Sequence, residues 1–248
     1  MSFTTGALLI GAGFIPSFLW LNFYLRKDCH PEPKRLIILT FALGMLVAPL
    51  AVAAQWLFSY AAGLFAPTMN IADSSVFFLW AAFTEEAVKF LAVFYLVMHV
   101  PDFDEPVDGM IYLITAALGF AAIENMLVLY KNFPDGISVT LQILALRTVG
   151  ATLLHALSSA LVGYFVALAW FHHHHSRKFL WFGIACATVF HFSFNVLLLH
   201  LSAFEGVLSS SVILLLMMAL ISILFSKIRD RSGSRLLSTQ PALSSEHL

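Results

Sequence analysis

Seven mostly apolar windows, at roughly 6–25, 36–64, 76–98, 107–130, 148–171, 179–201 and 207–225, each reach the ~20 residues that cross ~30 Å of hydrocarbon as a helix. The pattern predicts an all-α bundle of about seven transmembrane spans. The second window is overlong and contains Pro49, which leaves open one kinked or tilted helix or two half-segments. Basic residues concentrate between alternate windows: Arg26, Lys27, Lys34 and Arg35, then Arg177 and Lys178, then Lys227, Arg229, Arg231 and Arg235. The positive-inside rule therefore places the N-terminus outside and the C-terminus in the cytoplasm, a parity that seven spans satisfy. The acidic loop Pro101–Pro106 carries little topological weight. From residue 226 the chain turns to Ser and Arg, so a membrane domain over 1–225 and a disordered cytoplasmic tail over 226–248 are expected.

Composition excludes a water-soluble domain: 60% of the residues are hydrophobic, 11% are charged, and the mean hydropathy is +0.89. The net charge of −1 carries no nucleic-acid footprint. Cys29 and Cys186 offer neither a disulfide framework nor CxxC spacing. The first window follows Met1–Thr5, which lacks a basic n-region and a small-residue cleavage site, so it is expected to stay as a membrane helix. The run His172–His175 beside Arg177 is expected to be a solvated loop rather than a metal site.

Against this background Glu85, Glu86, Lys89, Glu124, His155 and His191 fall inside spans. Four charged groups at mid-membrane cost roughly 2.5–3.5 kcal/mol each, about 10–14 kcal/mol together, which must be offset or used. Glu85 and Glu86 sit four and three residues before Lys89, on one side of a helix, but one ion pair needs one carboxylate and the spans supply three. Depth also groups them. With the orientation above, Glu85 and Glu86 lie about 13–15 Å from the outer helix end, Glu124 and His155 about 9–11 Å, and His191 about 15 Å. Four helices thus bring their polar residues to one layer. Small residues Gly119, Ala121 and Ala122 precede Glu124 and Asn125, Ser158 and Ser159 follow His155 by one turn, and His191 shares a face with Asn195.

Peptide hydrolysis inside a membrane needs a water, a base, an oxyanion donor and an acid for the leaving amine. Adjacent Glu85 and Glu86 project about 100° apart, so they cannot form a face-to-face acid dyad, and Glu124 or a histidine must complete a site. His191 and Asn195 offer N–H groups to an oxyanion, and His155 a proton shuttle. No serine or cysteine nucleophile is evident.

Several motifs in order resemble the PrsW-type intramembrane peptidases, relatives of the CAAX prenyl endopeptidases: Glu85-Glu86-Ala-Val-Lys89, Glu105-Pro-Val-Asp-Gly109, Gly119-Phe-Ala-Ala-Ile-Glu-Asn125, His155 through Gly163-Tyr164, and His191-Phe-Ser-Phe-Asn195, with the Arg-Lys-Asp and Pro-Glu-Pro-Lys of Phe23–Lys34. The resemblance implies Glu85 as the water-activating base, Glu86 and Lys89 as its supporting pair, and His191 with Asn195 on the oxyanion side. Glu124 stands where the prenyl endopeptidases have histidine, and the basic residue Lys89 comes three after the second glutamate where they have an arginine four after it, so prenylated substrates are not implied. The resemblance also implies a membrane-protein substrate of the anti-sigma-factor kind in a bacterial cytoplasmic membrane, met through the outer loops Leu64–Ser75 and Lys131–Arg147 and gaps between helices. A metal-free glutamic mechanism is expected, with a divalent ion such as zinc on Glu85, Glu124, His155 and His191 as the alternative. The readings from other classes are a proton- or cation-coupled transporter, which also uses intramembrane Glu, His and Lys, and a non-catalytic scaffold.

Overall fold

The apolar windows fold as helices. In a computed structural model that describes residues 3–28, 30–65, 70–171 and 176–239, no strand occurs among the described residues. The helices are α1 (Phe3–Leu25), α2 (Lys34–Phe65), α3 (Ser75–Leu96), α4 (Asp108–Asn132), α5 (Ile137–Val149), α6 (Ala151–Phe171), α7 (Ser176–His200) and α8 (Ala203–Thr239). Six helical stretches are long and apolar enough to cross a membrane: α1, α2, α4, α5 joined to α6, α7 and α8. α3 has the length, 22 residues, and carries Glu85, Glu86 and Lys89 along its middle.

Three stretches bear on boundaries that the sequence left open or placed elsewhere. α2 is one continuous helix of 32 residues with Pro49 inside it, so the second window is not split. At ~1.5 Å per residue it is longer than the hydrocarbon is thick, which tilt or protrusion accommodates. The stretch expected as the outer loop Lys131–Arg147 holds a helix of its own, α5. Thr140, Gln142 and Arg147 break its apolar run, which hid it, yet local bonding supports it. Gly136, at φ 106°, turns the chain into the helix in a conformation that favours glycine, and its carbonyl accepts from both the amide and the hydroxyl of Thr140. Trp20 Nε1 of α1 donates to the Thr148 carbonyl at 2.7 Å and ties the far end down. Gly150 then separates α5 from α6. Finally, α8 runs to Thr239, past residue 226 where a tail was expected to begin. Cys29, the run His172–His175 and the segment 240–248 lie outside the described residues.

α4 and α6 form the centre. From Asp108 to Ala122 every residue of α4 is buried, as is every residue of α6 from Thr152 to Gly163, the pattern of helices enclosed by protein. α1, α2, α3 and α7 surround them, and α8 packs against α6 and α7. Outward, Leu8, Trp56, Tyr60, Trp181, Leu215 and Leu216 are exposed, which suits helices that face lipid. Close approach at the centre depends on glycine. A β-carbon on Gly44 of α2 would overlap the Ala116 carbonyl of α4, and one on Gly119 would overlap the Phe41 carbonyl of α2. This crossing holds α2 close enough for Gln55 to reach α3.

Candidate active site

Helical register puts three charges on α3 at the middle of the bundle. Glu85 and Glu86 are 6% and 1% exposed and Lys89 is fully buried. Burial on this scale is tolerated only where every charge meets a partner, and for Glu86 the partners are complete. Its Oε1 accepts from Lys89 Nζ at 2.7 Å, Ser158 Oγ at 2.9 Å and His191 Nδ1 at 3.0 Å, and its Oε2 accepts from Ser159 Oγ at 3.0 Å. One carboxylate therefore joins α3, α6 and α7. The spacing of His155, Ser158 and Ser159 on α6 puts all three on the face that meets α3.

Lys89 also approaches His155 Nδ1, at 3.1 Å, and lies over the Phe120 ring at 4.9 Å. An ammonium has no lone pair to offer, so Nδ1 accepts, and the ring proton sits on Nε2, 2.8 Å from Glu124 Oε2. At His191, Nδ1–H donates to Glu86, which in the neutral ring leaves Nε2 with a free lone pair.

Glu85 differs from its neighbour. Its Oε1 accepts from Gln55 Nε2 of α2 at 2.9 Å, while the buried Oε2 has no hydrogen-bond partner. That oxygen lies 3.7 Å from His191 Nε2 and 3.9 Å from His155 Nδ1. Glu85 Oε2 and His191 Nε2 thus face a common space, with His155 Nδ1, engaged by Lys89, at its edge, and the ligand atoms of the three residues all lie within 4.8 Å of one another. Acceptors do not stabilise each other. The donor set and the orphaned carboxylate oxygen fit either a water that donates to them or a divalent cation.

The sequence-expected residues do not all meet there. Glu124 lies behind the His155 ring, bonded to Nε2, and is not among the grouped ligand atoms. Asn125 supports it from the side, donating to Thr152 Oγ1 at 3.0 Å and to the Gly13 carbonyl at 3.4 Å. Asn195 is half-buried one turn beyond His191 and makes no side-chain hydrogen bond among the described residues. Two contributors carry no motif. Gln55 is one polar residue in a long apolar window, and Arg147 stands in a stretch that reads as loop. Arg147 Nη2 donates to Glu124 Oε2 at 2.9 Å and its Nε to Asn125 Oδ1 at 2.5 Å. Arg147 so near a span boundary was the one available signal.

A second polar group sits at the ends of α1, α2 and α4. The Tyr112 hydroxyl donates to Glu32, Asp108 Oδ2 accepts the amides of Asp104 and Glu105, and His30 Nδ1 lies 2.9 Å from Glu105 Oε1. Burial pushes the carboxyl of Glu32 above its ordinary range. These contacts clamp the loops expected on the cytoplasmic side and lie apart from the α3 cluster in sequence and in bonding.

The chain is similar to known proteins over most of its length. Residues 32–224 match a family described as PrsW family intramembrane metalloprotease. The protein named Protease PrsW from Geobacillus kaustophilus is 32% identical over 77% of this chain and 80% of its own. That from Oceanobacillus iheyensis is 31% identical over 86% and 93%, and that from Bacillus subtilis is 28% identical over 78% and 84%. No solved structure matches.

Proposed function

Because the chain belongs to the PrsW family of intramembrane proteases, we propose that it hydrolyses a peptide bond of a membrane-protein substrate with a water held between Glu85 and His191. The substrate class we propose, following the resemblance, is a regulatory membrane protein of the anti-sigma-factor kind. The observation that carries the reading is the free Oε2 of Glu85 facing the free Nε2 of His191 at 3.7 Å.

A water between two acceptors donates one hydrogen to each and turns its lone pairs outward, toward a carbonyl carbon. Glu85 takes the water's proton during attack, as a general base does. Gln55 holds the other oxygen of the carboxylate and so fixes its plane. Glu86 cannot take this role, since Lys89, His191, Ser158 and Ser159 occupy it. It orients His191 instead, as carboxylates behind histidines do. The amide of Asn195 is the donor assigned to the oxyanion, and Glu85, once protonated, is the acid for the leaving amine.

A metal-assisted form of the same hydrolysis is favoured by one observation: ligand atoms of Glu85, His155 and His191 all lie within 4.8 Å of one another. Those three residues would hold a divalent ion, which when bound supplies a hydroxide-like nucleophile and polarises the carbonyl. His155 would then exchange its Lys89 contact for the ion, and Glu86 and Glu124 would orient the two histidines from behind.

The test is purified protein reconstituted with candidate single-span substrates, comparing wild type with Glu85→Gln and His191→Ala, with and without chelator. Cleavage by wild type alone supports the site; equal cleavage by Glu85→Gln overturns Glu85 as base, and no cleavage of any candidate by wild type leaves a scaffold as the reading. Loss on chelation with recovery in zinc selects the metal-assisted form.

A further inference from the structure

We propose that Arg147 is a positioning residue that, acting through Glu124, keeps the ring proton of His155 on Nε2 so that Nδ1 stays an acceptor, toward Lys89 and beside the reaction space.

The argument is one of donors and acceptors. Glu124 Oε2 accepts twice, from Arg147 Nη2 at 2.9 Å and from His155 Nε2 at 2.8 Å. A carboxylate can accept both, whereas any donor in its place would force the His155 proton to the other nitrogen. Arg147 is itself fixed. Its Nε is held by Asn125 Oδ1, and the Asn125 amide is held by Thr152 of α6 and the Gly13 carbonyl of α1. Glu124 has no such anchor: its side chain is 29% exposed, against 2% for His155, and without the guanidinium it has room to turn away. The planar fork of arginine, with donors in fixed directions, suits this bracing of a carboxylate and its neighbouring amide.

On the far side of the ring the choice matters. With the proton on Nε2, Nδ1 accepts from Lys89 at 3.1 Å and stands 3.9 Å from Glu85 Oε2. With the proton on Nδ1, N–H would point at an ammonium, and the lone pair would leave the site. The helix α5 thus has a stated purpose, since it is the element that brings a guanidinium to a bundle otherwise lacking one at this level among the described residues. The role given to His155 rests on the peptidase reading; the position of its proton does not.

The decisive measurement is nitrogen-15 NMR of the full chain in detergent with ring-labelled histidine, the His155 signals being identified by their loss in His155→Gln. Wild type is expected to show the directly bonded proton on Nε2. In Glu124→Gln, Arg147 claims the amide oxygen, the amide N–H₂ turns to His155, Lys89 withdraws onto Glu86, and the proton is expected to move to Nδ1. In the double variant Glu124→Gln with Arg147→Met, the glutamine is free to turn round and accept again, so the Nε2 proton is expected to return. A merely structural arginine gives no such reversal. An Nε2 proton that persists in Glu124→Gln, or a double variant that behaves like Glu124→Gln, overturns the proposal. If the double variant does not assemble, the single variant still decides. Cleavage assays read the peptidase reading separately: tautomers as expected with no cleavage would sink that reading and leave Arg147 in its place.

Discussion

Two adjacent carboxylates divide their work because a helix turns about 100° between them. Glu86 points at α6 and α7 and accepts from four donors, with both oxygens engaged, whereas Glu85 points toward α2 and keeps one oxygen free. Their substitutions should therefore separate. Glu85→Gln is expected to lower cleavage of a reconstituted single-span substrate by about 10²–10⁴-fold, the scale of a lost general base, and to leave the melting temperature in detergent near that of wild type. Glu86→Gln is expected to lose activity and also stability, by about 3–5 kcal/mol, because Lys89 is left buried without its counter-charge. Thermal unfolding of both variants checks the contrast, and equal melting losses would mean that Glu85 is structural too. Glu85, Glu86 and Lys89 were legible in the sequence because helical spacing alone relates them. Gln55 and Arg147 were not, because each meets its partner only through the packing of another helix.

At the scale of helices, the site exists because α2 and α4 approach closely at Gly44 and Gly119. Adding a side chain at Gly119 meets a backbone carbonyl, which cannot swing away as a side chain can. Gly119→Val is therefore expected to cost at least the ~1–3 kcal/mol of ordinary overpacking and to draw Gln55 away from Glu85. Gly6→Ala is the control, since a β-carbon there meets nothing, and melting curves of the two variants measure the difference. The clamp of α4 to the chain between α1 and α2 has its own pH dependence. Burial raises the Glu32 carboxyl, so the folded state favours its protonated form. The sign follows: this contribution is full below the unfolded value and is lost as pH rises through the raised one. Protection of the His30 and Glu32 amides, measured relative to their intrinsic exchange rates, is expected to fall with rising pH across that window, and Glu32→Gln, which keeps an acceptor for Tyr112, should remove that fall. The spans themselves were legible as apolar windows, while α5 was not, because its support is a glycine turn and a tryptophan from α1 rather than its own hydrophobicity.

For the whole molecule, everything turns on whether α3 crosses the membrane. Six helical stretches cross on length and apolarity alone, an even number that would leave both termini on the same side. α3 makes seven and places them on opposite sides. On its own it is a poor span, since three charged residues at mid-depth cost roughly 2.5–3.5 kcal/mol each. In the bundle Lys89 is neutralised by Glu86, and Gln55, Ser158, Ser159 and His191 satisfy most of what remains, so the penalty is met by α2, α6 and α7 rather than by α3 itself. α3 is then expected to cross as part of the assembled bundle, N-terminus outside and C-terminus cytoplasmic, as the basic loops require. Single cysteines at Gly6 and Ser226, in a chain with Cys29 and Cys186 replaced by serine, read this out in whole cells. The Gly6→Cys site should react with a membrane-impermeant maleimide directly, and the Ser226→Cys site only after permeabilisation. Labelling of both sites from one side would mean that α3 does not cross, and Glu85 would then sit near an interface, reached by bulk water rather than held within the bilayer.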